Sequence, residues 1–212
     1  MIVVLLGPPG AGKGTQGERI AERLGIPRIA TGDVLREAIR KGTEQGLAAK
    51  AYMDRGDLVP DSVILGIMKH ALSTPAAANG AILDGAVRTV PQAEGLTALV
   101  AGLGRKVDKV LLFAVGDEEL IRRLSGRTVC EKCQTPYKGL EPGTPCARCG
   151  GTLIHRPDDE PEAIRTRLKV YRAQTEPVIK WAREHNLDVS EINATGDLDE
   201  ITDRAMKALA TT

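Results

Sequence analysis

Apolar positions fall along this chain in two rhythms. Short continuous runs bounded by turn residues, Ile2 to Leu6, Ala81 to Leu83 and Val110 to Val115, read as strands of a parallel sheet buried on both faces. Arg28 to Ala30 and Leu187 to Ile192 are weaker runs of the same kind, bringing the sheet to about five strands. Helical spacing predicts helices over Lys13 to Leu24, Val34 to Arg40, Glu44 to Arg55, Asp61 to Leu72, Pro91 to Leu103, Asp117 to Leu124, Pro161 to Glu184 and Asp197 to Leu209. Strand and helix alternate, which predicts an α/β fold with right-handed crossovers.

The pattern also predicts how the longest helix begins. Asp158 and Asp159 are placed to cap it, Glu160 and Glu162 complement its dipole, and Pro161 suits its first turn. Ile164, Leu168, Tyr171, Thr175 and Val178 mark its core face, and Thr175-Glu176-Pro177 marks a kink. Two stretches interrupt the alternation and read as insertions: a helical one from Thr31 to about Val59, and a Gly/Pro/Cys-rich one from Arg127 to Arg156.

Composition narrows the class. A chain of 212 residues with 42% hydrophobic and 27% charged residues suits one soluble core domain with inserted pieces. It contains no run of about 18 apolar residues, the length a membrane span requires. Met1 to Leu6 lacks a basic leader and runs directly into glycines, so a cytoplasmic, unprocessed protein is expected. A net charge of +1, with 1 Phe, 1 Trp and 3 Tyr, offers little for nucleic-acid bases to stack on. His70, His155 and His185 are scattered and make no catalytic or metal set.

Two local patterns carry chemistry. Gly7-Pro8-Pro9-Gly10-Ala11-Gly12-Lys13 follows a buried strand and opens a helix, the context in which a glycine-rich turn cradles phosphate. Its glycines let successive N–H groups converge on an anion, the helix N-terminus adds positive potential, and Lys13 adds a point charge. Gly14 follows Lys13 where a Ser or Thr usually ligates Mg²⁺, and the hydroxyl comes one residue later, at Thr15. Asp84, at the end of the Ala81-Ile82-Leu83 run, is a candidate to orient Mg²⁺ or its waters. In the second pattern, Cys130-x-x-Cys133 and Cys146-x-x-Cys149 form two knuckles 12 residues apart, a spacing that closes a tetrahedral structural Zn²⁺ site. Iron or another tetrahedral metal is the competing reading, and disulfides are disfavoured in a cytosolic chain.

Further residues carry a resemblance. Gly14-Thr15-Gln16, Gly32-Asp33 between Thr31 and Arg36, Leu58-Val59-Pro60, Asp84-Gly85 before Arg88-Thr89 with Gln92, Arg123 with Gly126-Arg127, Arg156 with Asp158-Asp159, and Arg167 follow one another in family order. Through them the chain resembles the adenylate kinase family over nearly all of its length. The resemblance implies a five-stranded parallel core (residues 1–30, 60–121 and 160–212), a nucleoside-monophosphate-binding insertion (31–59) and a zinc-bearing lid (122–159). It further implies transfer of a phosphoryl group from MgATP to AMP, giving ADP, by a monomer. Gly10, Ala11, Gly12, Lys13, Gly14, Thr15, Arg123, Arg127 and Gly196 would serve ATP. Thr31, Gly32, Arg36, Leu58, Val59, Gly85, Arg88, Gln92, Arg156 and Arg167 would serve AMP. Lys13, Asp84, Arg88, Arg123, Arg156 and Arg167 would act in transfer. Arginine suits the task, since its planar fork grips phosphate oxygens in pairs and stays charged when water is excluded.

Within that resemblance Gln92 would read the adenine edge, offering a donor and an acceptor together. The ATP adenine would lie on the Arg123 guanidinium, with backbone groups of Ala194-Thr195-Gly196 beside it. One departure stands out: the family usually carries Phe-Pro where this chain has Ala86-Val87. Either the loop keeps its path at some energetic cost, or Arg88 is held less firmly. A kinase for another nucleoside monophosphate and a nucleotide-gated binding module without turnover are the alternatives.

Overall fold

The computed structural model describes residues 1–211, apart from the side chain of Gln45. Along the chain run Ile2–Leu6 (β1), Lys13–Leu24 (α1), Arg28–Ala30 (β2), Thr31–Arg40 (α2), Glu44–Arg55 (α3), Asp61–Leu72 (α4), Ala81–Asp84 (β3), Val90–Gly102 (α5), Lys109–Ala114 (β4) and Asp117–Ser125 (α6). There follow Arg127–Cys130 (β5), Pro136–Lys138 (β6), Leu153–Ile154 (β7), Pro161–Val170 (α7), Glu176–Glu184 (α8), Val189–Asn193 (β8) and Leu198–Ala210 (α9). Five strands form one parallel sheet in the order β2-β3-β1-β4-β8. No helix among the described residues is long and apolar enough to cross a membrane.

Alternate residues of β1 explain why its run is apolar throughout. Val3 and Leu5 pack with Ile20, Leu120, Ile164 and Ile201 on one face, whereas Ile2, Val4 and Leu6 pack with Met68, Leu96 and Val178 on the other. Helices therefore cover both faces, and the strand has no polar side. This two-faced core holds the carboxyl ends of β1, β3 and β4 in register, with Leu5 paired to Asp84 and Leu6 to Leu112. Ligands bind beyond the carboxyl ends of such strands.

Two smaller cores lie outside the sheet. Leu35 and Ala49 of α2 and α3 pack with Val59 and Ile64. Strands β6-β5-β7 make a small antiparallel sheet whose buried apolar residues are Cys130, Cys146 and Leu153. So little apolar surface cannot hold a fold by itself.

Several expectations need correction. Helix α2 starts at Thr31, not Val34, which puts Asp33 in its first turn, where a carboxylate complements the dipole. Helix α5 starts at Val90, capped by the Thr89 hydroxyl, which accepts from the Gln92 N–H at 3.2 Å. The predicted helix from Pro161 to Glu184 is two α-helices joined by a π-helical turn over Tyr171–Thr175, where the Glu176 N–H reaches back to the Tyr171 carbonyl. Pro177 offers no N–H to continue the α-ladder, and widened turns of this kind gather at functional sites. Asp158 and Asp159 do not cap α7: its N-cap is Glu160, and they lie in a short 3₁₀ turn with their carboxylates committed to arginines.

Candidate active site

The loop after β1 bends because its glycines take left-handed angles, φ 84° at Gly10 and 87° at Gly12. A Cβ on Gly10 would stand 3.0 Å from Leu124 Cγ, so the loop also lies too close to α6 for a side chain. Gly12 precedes the first turn of α1 and brings no capping side chain, leaving backbone N–H groups there to be met by a ligand. Lys13 Nζ donates to the Gly7 and Pro8 carbonyls at 2.6 and 2.8 Å, folding its ammonium back over the loop. Burial first, then the guanidiniums of Arg88, Arg167 and Arg127, pull Lys13 down to about 8 against the attraction of Asp84. An arriving anion would hold the proton on this ammonium more firmly.

Beyond the loop lies a cavity of about 850 Å³, bounded by the loop, α2, the segment Gly56 to Val59, the start of α5, and the small sheet. Gly10, Gly12, Lys13, Gly14, Thr15, Thr31, Gly32, Arg36, Leu58, Val59, Asp84, Gly85, Arg88, Gln92, Arg123, Arg127, Arg156, Arg167 and Gly196 all line it. Ala11 is the exception among the expected nucleotide contacts, for its side chain is turned into the core under the loop. Cationic side chains outnumber acidic ones along the wall, which suits a polyanion.

The carboxylates present act mainly to aim the arginines. Arg127 donates through Nε and Nη2 to both oxygens of Asp159, and Arg167 Nη1 donates to Asp159 Oδ1 at 2.8 Å and to the Asp158 carbonyl at 2.7 Å. Burial alone would raise the Asp158 carboxyl, but Arg167, Arg36, Arg156 and Arg127 outweigh it and hold it below the ordinary range. Arg123 donates to Glu119 Oε1 at 2.7 Å and to the Ala194 carbonyl at 2.9 Å, which places it beside the Gly196 bend. Burial and the neighbouring Arg36 and Arg127 push Arg156 down, yet a guanidinium keeps its proton under such pressure.

Arg88 is the least satisfied of the set. Its side chain has accessible surface although protein encloses it, so that surface opens into the cavity. Burial, followed by Arg167, presses its pKa down. Its backbone is firmly held: the N–H donates to Gln92 Oε1 at 2.7 Å, and the carbonyl accepts from Thr175 Oγ1 in the π-turn at 2.8 Å. Ala86 and Val87 are buried in the core. These two hydrogen bonds hold the Arg88 backbone where the family usually has Phe-Pro just before it, which favours the first of the two expectations, a loop that keeps its path.

On the α2 side of the cavity, the Thr31 hydroxyl donates to the Gly85 carbonyl at 2.8 Å. Gly85, at φ 72°, has no room for a Cβ, which would lie 2.9 Å from that hydroxyl and 3.1 Å from Arg88 Nη2. Gln92 is buried and both ends of its amide are in use, Oε1 by Arg88 and Nε2 by Asp61 Oδ1 at 2.7 Å. Each end keeps one further site, a second lone pair on Oε1 and a second N–H on Nε2, and Gln92 lines the cavity.

Sequence reasoning missed Arg28 and Gln134, and gave Asp33 no role. Arg28 Nη1 donates to Asp33 at 3.1 Å and Nη2 to Asp84 at 2.8 Å. A Cβ on Gly14 would lie 3.1 Å from Arg28 Nη2, so the glycine that departs from the usual phosphate-loop pattern makes room for this ion pair. The only local signal was Arg28 five residues before Asp33; the partner at Asp84 is 56 residues away. Burial alone would raise Asp33, but Arg36 and Arg28 hold it below the usual carboxylate range.

In the small sheet the Sγ atoms of Cys130, Cys133, Cys146 and Cys149 lie within 4.8 Å of one another. All four are free thiols. The Tyr137 hydroxyl and Thr135 Oγ1 each stand 3.1 Å from a sulfur, Cys146 and Cys133 respectively. Four convergent sulfurs fit a closed tetrahedral zinc site, with these hydroxyls as outer partners.

A family model described as adenylate kinase matches residues 5–187. The chain is 61% identical over 211 residues to an adenylate kinase of Gemmatimonas aurantiaca, with 99% of each chain covered. It is 50% identical over 214 residues to one of Methanothrix thermoacetophila and 43% identical over 213 residues to one of Caldicellulosiruptor saccharolyticus, again over 99% of each chain. With the phosphate loop, the arginines and both insertions inside the matched span, the chain belongs to the adenylate kinase family.

Proposed function

We propose that this protein transfers the terminal phosphoryl group of MgATP reversibly to AMP, giving two ADP. The observation that carries the reading is the convergence of Lys13, Arg36, Arg88, Arg123, Arg127, Arg156 and Arg167 on one cavity from separate segments. In the reaction an AMP phosphate oxygen bonds to the γ-phosphorus while the bond from that phosphorus to the β,γ-bridging oxygen breaks, leaving ADP on both sides. Such transfer needs alignment and charge compensation more than covalent help.

In this reading the loop from Gly10 to Thr15 holds the ATP phosphates, Arg123 and Gly196 flank its base, and Arg127 closes from above. Arg36, Arg88, Arg156 and Arg167 grip the AMP phosphate, while Thr31, Gly32, Leu58, Val59, Gly85 and Gln92 shape the base site. Asp84 and Asp33 supply hard carboxylate oxygens at the wall, with the Thr15 hydroxyl nearby, and these would hold Mg²⁺ or its waters. When bound, the ion offsets charge on the phosphates. Zn²⁺ on the four cysteines would be structural.

Residues 31–59 and 122–159 act as two closing segments on a core of residues 1–30, 60–121 and 160–212, and closure keeps water from the phosphoryl group. Action as a monomer in the cytoplasm belongs to the same reading, and four free thiols suit that compartment. Assay of ADP formation from ATP and AMP, with GMP, CMP and UMP as competing acceptors, tests the reading. Turnover lost in Arg88→Gln with the fold intact supports it; no turnover in the wild-type protein refutes it.

A further inference from the structure

Among the described residues, two that are not glycine have a left-handed backbone, Gln134 at φ 60° and Asn186 at φ 56°. Asn186 is ordinary: asparagine tolerates this region, and it follows the end of α8. Gln134 is not, because glutamine is not among the residues that favour this region. It directly follows Cys133, at the tip of the first cysteine knuckle. A strained residue that persists is a reason to look for a task.

The side chain of Gln134 shows one. Its Nε2 donates to the Cys130 carbonyl at 3.3 Å and the Glu131 carbonyl at 3.1 Å, which are the backbone of the knuckle. Its Oε1 accepts from Arg36 Nε at 2.9 Å and from Arg156 Nη2 at 3.4 Å. The network fixes the amide orientation, since a flipped amide would turn its NH₂ toward two guanidiniums. With Nε taken by Gln134 and Nη2 by Asp33, Arg36 keeps Nη1 without a protein partner among the described residues, on the cavity wall. Arg40, one turn further along α2, donates to the Glu131 and Lys132 carbonyls, so α2 meets the knuckle at two points.

We propose that Gln134 is a positioning residue for the acceptor phosphate: it ties the cysteine knuckle to Arg36 and Arg156 across the closed cavity and holds the Arg36 fork in its gripping orientation. The proposal rests on the reading of Arg36 and Arg156 as acceptor-phosphate arginines. It makes the knuckle more than a fold staple, because the geometry of the metal site then sets the affinity for AMP.

The test uses Gln134→Gly, which suits the backbone angle and removes the amide, and Gln134→Ala, which removes the amide and keeps the strain. Each is compared with wild type for metal content, melting temperature, KM for AMP and for ATP, and AMP affinity by calorimetry. Both variants are expected to keep one metal per chain and to weaken AMP about tenfold in KM and Kd, as for loss of a hydrogen bond to a charged group, with KM for ATP within about twofold. Gln134→Gly should melt no lower than wild type and Gln134→Ala lower. Unchanged AMP affinity in both variants overturns the proposal, as does a parallel loss of ATP and AMP affinity with loss of metal, which is the mark of a purely structural role. A wild-type protein that binds AMP but forms no ADP instead overturns the underlying reading, and calorimetry still decides the role of Gln134.

Discussion

Arg28 and Asp84 form an ion pair of 2.8 Å over the first turn of α1, directly above Gly14. Both side chains are largely withdrawn from water, 20% and 13% exposed, so the pair is worth more than a surface contact. Arg28→Gln should cost about 1.5–3 kcal/mol of stability, the range for hydrogen bonds to charged groups. It also frees Asp84 and Asp33 of a competing cation, so the Mg²⁺ concentration giving half-maximal rate should fall. Thermal melting and a Mg²⁺ titration of the rate check both; an unchanged Mg²⁺ requirement means that Arg28 does not compete at this site.

The titration of Lys13 gives a prediction at alkaline pH. Its folded value of about 8 lies below the ordinary lysine value of 10.5, so the folded protein releases this proton before the unfolded chain does. The penalty for a buried ammonium is present below pH 8 and is relieved as pH rises toward 10.5, so this group's contribution to stability increases through that window. A bound polyphosphate restores the charge. Calorimetry of an ATP analogue at pH 8.5, in buffers of different ionisation enthalpy, should therefore register proton uptake.

Asp33 and Asp158 behave in the opposite way. Their carboxyls lie below the ordinary carboxylate range, so the stability they contribute is present above the unfolded value of about 3.9 and is lost as pH falls through the lower folded values. Replacing Asp158 by Asn should flatten the acid limb of the melting profile.

Restoring the usual family pair at positions 86 and 87 should harm this chain. Ala86 is fully buried and Val87 nearly so, while hydrogen bonds from the Arg88 N–H to Gln92 and from Thr175 to the Arg88 carbonyl already hold the backbone of Arg88. Phenylalanine at 86 would overpack the core at a cost of about 1–3 kcal/mol. Ala86→Phe with Val87→Pro should melt lower and show no gain in AMP affinity. A gain in affinity would mean that the anchors seen here are insufficient.

Much of this fold was legible in the sequence because its strands are buried on both faces and its phosphate loop is contiguous. Ile2 to Leu6 followed by Gly7 to Lys13 carries strand, turn and helix start in one stretch. The errors arise where long-range partners decide. Asp158 and Asp159 have the composition of helix caps, but Arg127 and Arg167 claim their oxygens. Tyr171 to Thr175 continues a helical pattern, and only Pro177 and the bond from Thr175 to Arg88 reveal the widened turn. The local partners of Arg28 and Gln134, Asp33 and the carbonyls of Cys130 and Glu131, form no recognisable motif, and the partners that place them at the site, Asp84, Arg36 and Arg156, come from distant segments.

The proposed Gln134 link would tie the stability of the four-cysteine site to binding. Chelation should loosen the small sheet, whose apolar core is too thin to hold alone, and lower the melting temperature. Because Gln134 links that sheet to Arg36, the metal-free protein should also show a raised KM for AMP with all catalytic side chains present. Metal analysis, melting and AMP kinetics before and after zinc is returned would check this. An unaltered melting temperature in metal-free protein contradicts a structural site.

The central claim, that this cavity moves a phosphoryl group from ATP to AMP, is tested most directly by ADP formation from ATP and each of AMP, GMP, CMP and UMP in the presence of Mg²⁺. The account predicts rapid ADP formation with AMP and turnover at least about tenfold lower with the other three, the discrimination expected of a site that hydrogen-bonds its base. No ADP from ATP and AMP, or equal or faster turnover with another acceptor, would contradict it.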